Sequence, residues 1–143
     1  MIFKICIILI LAAASVEDVR KREVSALAIL SCTLVSAAAV GYGAYRGDFD
    51  ALSLLLSLLP GAAVLFVALM SREGVGYGDG FLILASGPAL GAGAVYLGLL
   101  AALFAAAAFS GILITIKRAG RRTRIPFVPF MALGMGAMIL EKI

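Results

Sequence analysis

Apolar residues in this chain come in long blocks separated by short polar joints. The first block runs from about Ile5 to Val16 and can be extended through Met1–Phe3. The second is Val24–Tyr45, closed by the polar turn Arg46-Gly47-Asp48. Ala51–Met70 is the third, and the Pro60-Gly61 pair inside it predicts a kink whose freed backbone groups neighbouring helices re-satisfy. Residues 80–116 form one apolar stretch, long enough for two helices with a tight connection near Gly98, and Ile125–Leu140 is a last, short block. A helix needs about 20 apolar residues to cross the hydrocarbon of a bilayer. The pattern therefore predicts an all-α integral membrane protein of about six transmembrane helices. They are expected to pack as one compact bundle, a single domain over residues 1–143.

Composition narrows the chemistry. With 64 % hydrophobic and 14 % charged residues, and a mean hydropathy of +1.15, little of the chain is left to build a water-soluble core. The formal charge of +4 does not point to nucleic acid. The basic residues cluster in loops beside apolar blocks, where they set topology and meet anionic lipid heads. Histidine is absent, and Cys6 and Cys32 lie singly inside apolar blocks. Neither a disulfide framework nor a metal site is expected, and no cofactor.

Charge also orients the chain. Lys4, the apolar run and Ala12-Ala13-Ala14 imitate the three regions of a signal peptide. Arg20, Lys21 and Arg22 argue against cleavage, because a basic cluster just past an apolar block favours keeping that side in the cytoplasm. Six helices with the N-terminus outside put Arg20, Lys21, Arg22, Arg72, Lys117, Arg118, Arg121, Arg122 and Arg124 in the cytoplasm. Those are nine of the twelve Lys and Arg; Lys4, Arg46 and Lys142 stay outside. A five-helix arrangement would move the largest basic loop outside, against the positive-inside rule. The expected location is the cytoplasmic membrane, crossed several times.

This orientation brings two carboxylates to the cytoplasmic face from different helices. Asp18 follows the first block, and Asp79 lies in the turn Gly74-Val75-Gly76-Tyr77-Gly78-Asp79-Gly80. Glycines at alternate positions let the backbone bend sharply and let a substrate come close to Asp79. Taken alone, Asp79 reads equally well as a solvated cap of the next helix. A pair changes the weighing. Two acids held close together cannot easily lose both protons, so one can take a proton from an attacking water while the other donates to a carbonyl oxygen. That is the minimum for aspartic peptidase chemistry, and the topology permits it. Glu17, Glu23 and Glu73 read more simply as solvated charges among basic neighbours. Asp48 and Asp50 fall on the opposite side, and Glu141 at the far terminus. Small residues are dense from Gly87 onward, with Gly87 and Gly91 at GxxxG spacing and alanine at 105–108. They predict close helix packing within the bundle and permit a homodimer.

Three motifs occur in order along this layout. They are Asp18-Val19-Arg20-Lys21-Arg22-Glu23-Val24 after the first block, Gly76-Tyr77-Gly78-Asp79 before the fourth, and Ile125-Pro126-Phe127-Val128-Pro129-Phe130 opening the last. In this combination, over essentially the entire chain, the protein resembles the type IV prepilin peptidases. These include the archaeal preflagellin peptidases and belong to the Gly-x-Gly-Asp membrane aspartic proteases. The resemblance implies catalytic roles for Asp18 and Asp79, and a turn shaped by Gly76 and Gly78. It also implies a pilin-like precursor protein as substrate. A short basic leader would be removed from it at the cytoplasmic face, just after a glycine and before the apolar helix of the mature pilin. The last motif is read as packing near the site. The chain departs from the larger bacterial enzymes in having no paired Cys-x-x-Cys motifs, so methylation of the new N-terminus is not expected. Glu23-Val24-Ser25 stands where many relatives place an Ile-Pro pair, which bears on the start of the second helix and not on Asp18.

Two other classes compete. A small transporter or channel would use the acids as a proton relay, which asks for carboxylates across the bilayer rather than on one face. A structural membrane subunit accounts for the small residues but not for three motifs together. The topology is testable by labelling. Cysteines introduced at Ser71 and Thr123 should react only from the cytoplasm and one at Asp48 only from outside; reaction of positions 71 and 123 from opposite sides would rule out six helices.

Overall fold

The computed structural model describes residues 1–72, 76–116 and 125–141. Six helices follow one another: α1 (Ile2–Lys21), α2 (Ala26–Arg46), α3 (Ala51–Met70), α4 (Tyr77–Leu90), α5 (Ala92–Thr115) and α6 (Val128–Leu140). No strand occurs among the described residues. α2, α3 and α5 are long and apolar enough to cross a membrane, and α6 is a shorter apolar helix. Glu73, Gly74, the basic residues of 117–124 and Lys142 lie outside the described residues, so their expected placement is not addressed.

The helix ends follow from local chemistry. Ser25 caps α2 by accepting from the Leu27 amide at 3.3 Å, and Asp50 caps α3 by accepting from the Leu52 amide at 3.1 Å. The start of the second helix is thus set by a serine cap. α3 runs unbroken through Pro60-Gly61, both of them buried. The connection expected near Gly98 lies instead at Gly91, where φ is 86° and ψ is 153°. That conformation is open essentially to glycine alone, so α4 stops at Leu90 and α5 restarts at Ala92. Gly98 sits in the middle of α5, where a side chain would run into the Met135 backbone of α6.

α4 is the middle of the bundle. It packs against α1, α2, α3 and α5, while α6 closes the other side against α1 and α5. Eight of the 14 residues of α4 are buried, among them Leu82, Ile83 and Leu90. The close approach of α3 and α4 depends on small residues: a Cβ at Gly61 would lie 2.6 Å from the Leu84 Cα, and one at Gly87 would collide with the Ser57 carbonyl. Gly87 therefore does serve packing, whereas its GxxxG partner Gly91 serves the turn. Ser36 of α2 adds a buried hydrogen bond to the Ala85 carbonyl of α4. Of the alanine run, 105, 107 and 108 face outward from α5.

The outer surface is apolar. Leu27, Leu30 and Leu34 on α2, Leu52, Leu55 and Phe66 on α3, and Leu100 and Phe104 on α5 are all more than half exposed. Water would not tolerate a continuous coat of this kind, whereas hydrocarbon requires it. Inside, α1 contributes Ile7, Leu11 and Ala14, one stripe at helical spacing. The next member of that stripe, one turn on, is Asp18.

Candidate active site

Asp18 lies one turn before the end of α1 and is 5 % exposed. α1 terminates at Arg22, which takes the left-handed conformation (φ 55°, ψ 29°) and returns its amide to the Asp18 carbonyl at 2.8 Å. The Asp18 side chain crosses to the start of α6, where its Oδ2 accepts from the Val128 amide at 3.2 Å. Met131, Met135 and Val128, all buried, seat α6 in the core beneath this contact.

Asp79 lies in the first turn of α4, half-buried, with Gly76 as the residue that precedes the helix. Gly76 and Gly78 are there for space. A Cβ at Gly76 would come within 3.3 Å of the Asp79 Oδ2, crowding the carboxylate itself. A Cβ at Gly78 would meet the Val24 side chain at 2.8 Å. Val24 is part of the joint that follows α1, so the element carrying Asp18 and the element carrying Asp79 are pressed together through Gly78.

The electrostatics of the two acids are linked. Burial pushes the Asp79 carboxyl up to about 6, and the negative charge of Asp18 pushes in the same direction. Burial also raises Asp18, against the pull of the Val128 amide, which favours its ionised form. Repulsion between two such carboxyls is felt by whichever of them ionises second. Asp18 and Asp79, the two acids singled out in the sequence, are thus brought to one end of the bundle within each other's field. Asp48 and Asp50 line a small recess of about 170 Å³ beside Gly91, at the opposite end. Glu17 is half-buried and Glu23 exposed.

Among the described residues, no cluster of three or more His, Cys, Asp or Glu side chains is placed to hold a metal ion. Cys6 and Cys32 are free thiols. An apolar groove of about 540 Å³ runs between α2 and α4 past Ile29, Val40 and Phe81; neither aspartate lines it.

The contact at this site that the sequence analysis does not single out is that of Val128. The Pro-Phe motif is expected to serve packing, yet its backbone supplies a hydrogen bond to one of the acids. A signal for it exists: prolines at 126 and 129 mark a helix start, and the first-turn amides of any helix have no partner inside it.

Residues 5–114 match the type IV leader peptidase family. The chain belongs to that family. Comparison with curated proteins and with solved structures gives no match. The matched span contains both aspartates and the glycine turn, whereas α6 lies beyond it. Membership makes the protein a peptidase of the type IV leader peptidase kind, an aspartic type in that family. The apolar helices agree with a membrane protein.

A buried acid leaves a trace in stability. Below about pH 3.8, the ordinary value, Asp79 is protonated folded or unfolded and costs nothing; above about pH 6 its charge is fully felt in the native state. At about 1.36 kcal/mol for each pH unit, the rise amounts to at most ~3 kcal/mol. Asp79→Asn should therefore raise the thermal midpoint in detergent at pH 7.5 and leave it unchanged near pH 3.5. A midpoint that does not move at pH 7.5 would show that Asp79 is not buried as described.

Proposed function

We propose that Asp18 and Asp79 are the catalytic pair of an aspartic endopeptidase that removes a short basic leader from pilin-like precursors at the cytoplasmic face of the membrane. The observation that carries this reading is the buried Asp18 with a second carboxyl, Asp79, raised by burial and by the charge of Asp18. Two acids sharing one proton are what the reaction needs. The ionised carboxylate takes a proton from water, and the water oxygen bonds to the scissile carbonyl carbon. The protonated carboxyl gives its hydrogen to the carbonyl oxygen as charge develops there. Collapse of the tetrahedral intermediate breaks the C–N bond, the proton taken from water goes to the leaving amine, and a hydroxyl proton of the intermediate returns to the carboxylate that had donated its own. Neither metal nor cofactor enters this scheme. Gly76 and Gly78 act by leaving room for the carboxylate and for the joint after α1. A proton relay through the bilayer is less well supported, because both acids lie at the same end of the bundle.

The scheme requires an acid form and a base form at once, so the rate should fall on both sides of a maximum, the two limbs reporting the apparent titrations of the pair. Purified protein incubated with a pilin-like precursor tests the assignment. Asp18→Asn and Asp79→Asn should each abolish cleavage, and the double variant should be no worse than either. Glu17→Gln, Glu23→Gln and Glu73→Gln should retain most of it. Substantial cleavage by the Asp18→Asn protein would exclude the pair and direct attention to Glu17 and Glu23.

A further inference from the structure

The start of α6 has an electrostatic role that packing alone does not require. Pro126-Phe127-Val128-Pro129 opens the helix, and neither proline carries an amide hydrogen. Val128 is the first helical residue, so its N–H belongs to the turn whose donors have no partner within the helix. That N–H is spent on Asp18, 110 residues earlier in the chain, and both residues are buried. We infer that the amino terminus of α6 makes the two aspartates unequal: the Val128 amide holds Asp18 as the ionised base, and Asp79 keeps the proton donated to the scissile carbonyl. This rests on the peptidase reading above and gives Val128 a positioning role in it.

A hydrogen bond from an amide is stronger to an anionic carboxylate than to a neutral acid, so it favours the ionised form. The partial positive charge at a helix start acts in the same direction. Asp79 has a helix start of its own, that of α4, so helix ends do not separate the two acids; the direct bond from Val128 does. Burial favours the protonated form of both acids; on Asp18 the Val128 amide opposes it, and on Asp79 the charge of Asp18 adds to it. Other titratable groups stand near this end. Glu17, Arg20 and Lys21 are on α1, and Arg22 and Glu23 follow it. α4 brings Tyr77, Arg72 follows α3, and α2 brings Cys32 deeper in the bundle. None of these is among the groups that move Asp18 or Asp79.

The chain has four aspartates, at 18, 48, 50 and 79, so carboxyl-13C aspartate labelling gives four signals to titrate by NMR. Asp18→Asn and Asp79→Asn identify two of them. In the unmodified protein Asp18 should ionise at lower pH than Asp79. Val128→Pro removes the amide hydrogen at a position where helices accept proline, and should raise the Asp18 midpoint by about 1 pH unit. Val128→Leu keeps the hydrogen and should leave the midpoint nearly unmoved. The acid limb of the kcat/KM profile for precursor cleavage should move with Val128→Pro in the same way. The proline also disfavours the helical backbone of Phe127, so the order of ionisation in the unmodified protein is the test that does not depend on that variant folding. Asp79 ionising first overturns the proposal, and so does an equal displacement by Pro and Leu. The titration needs no cleavage, and loss of the peptidase assignment would show only in the precursor assay, so the two failures are distinguishable.

Discussion

Asp18 continues the apolar stripe of Ile7, Leu11 and Ala14 into a position with 5 % exposure, and a carboxylate there must find compensation inside the protein. It finds it in the Val128 amide, the contact on which the arrangement of this end depends. The bond joins the end of α1 to the start of α6 across nearly the whole chain. The helix that provides it is held by Met131, Met135 and Ile139 in the same core as Ile7 and Leu11. Loss of the amide would leave the buried carboxylate without a hydrogen-bond donor among the described residues. Packing and chemistry therefore impose the same geometry on α1 and α6.

The other acid is positioned by absence of side chains. Gly76 leaves room for the Asp79 carboxylate, and Gly78 lets the joint after α1 close onto the turn through Val24. Deeper in the bundle, Gly61 against Leu84 and Gly87 against Ser57 bring α4 close to α3. α4 can lie among four neighbours because so many of its contacts are backbone to backbone. In hydrocarbon, where burial of apolar surface gives no drive to association, such close contact is the main source of cohesion.

Much of this is legible in the apolar pattern. The bounds of α3 coincide with the third block, and five blocks, one of them long enough for two helices, become six helices, because apolar length and polar joints are dictated by the hydrocarbon itself. The break between α4 and α5 falls at Gly91 and not near Gly98, where the pattern puts it. Both are small residues in an apolar run, and only backbone geometry separates a turn from a helix crossing. Asp18 and Asp79 are identifiable as acids beside apolar blocks. That Asp18 faces inward is seen only in the fold, because α1 is apolar on every face and the order of residues does not mark Ile7, Leu11 and Ala14 as the buried side. Of the Val128 contact only half is legible there: the prolines at 126 and 129 mark a helix start with free amides, but nothing in the order of residues says that Asp18 takes one of them.

Whether the side chains at 18 and 79 meet can be measured directly. Cysteines replace both aspartates in a protein whose Cys6 and Cys32 are changed to serine, and a short bifunctional thiol reagent is added. After proteolysis in the joint between α2 and α3, the two fragments should remain covalently joined, whereas a pair at positions 18 and 48 should fall apart. Fragments of the 18–79 protein that separate as readily as those of the 18–48 protein would show that the two acids do not form a pair.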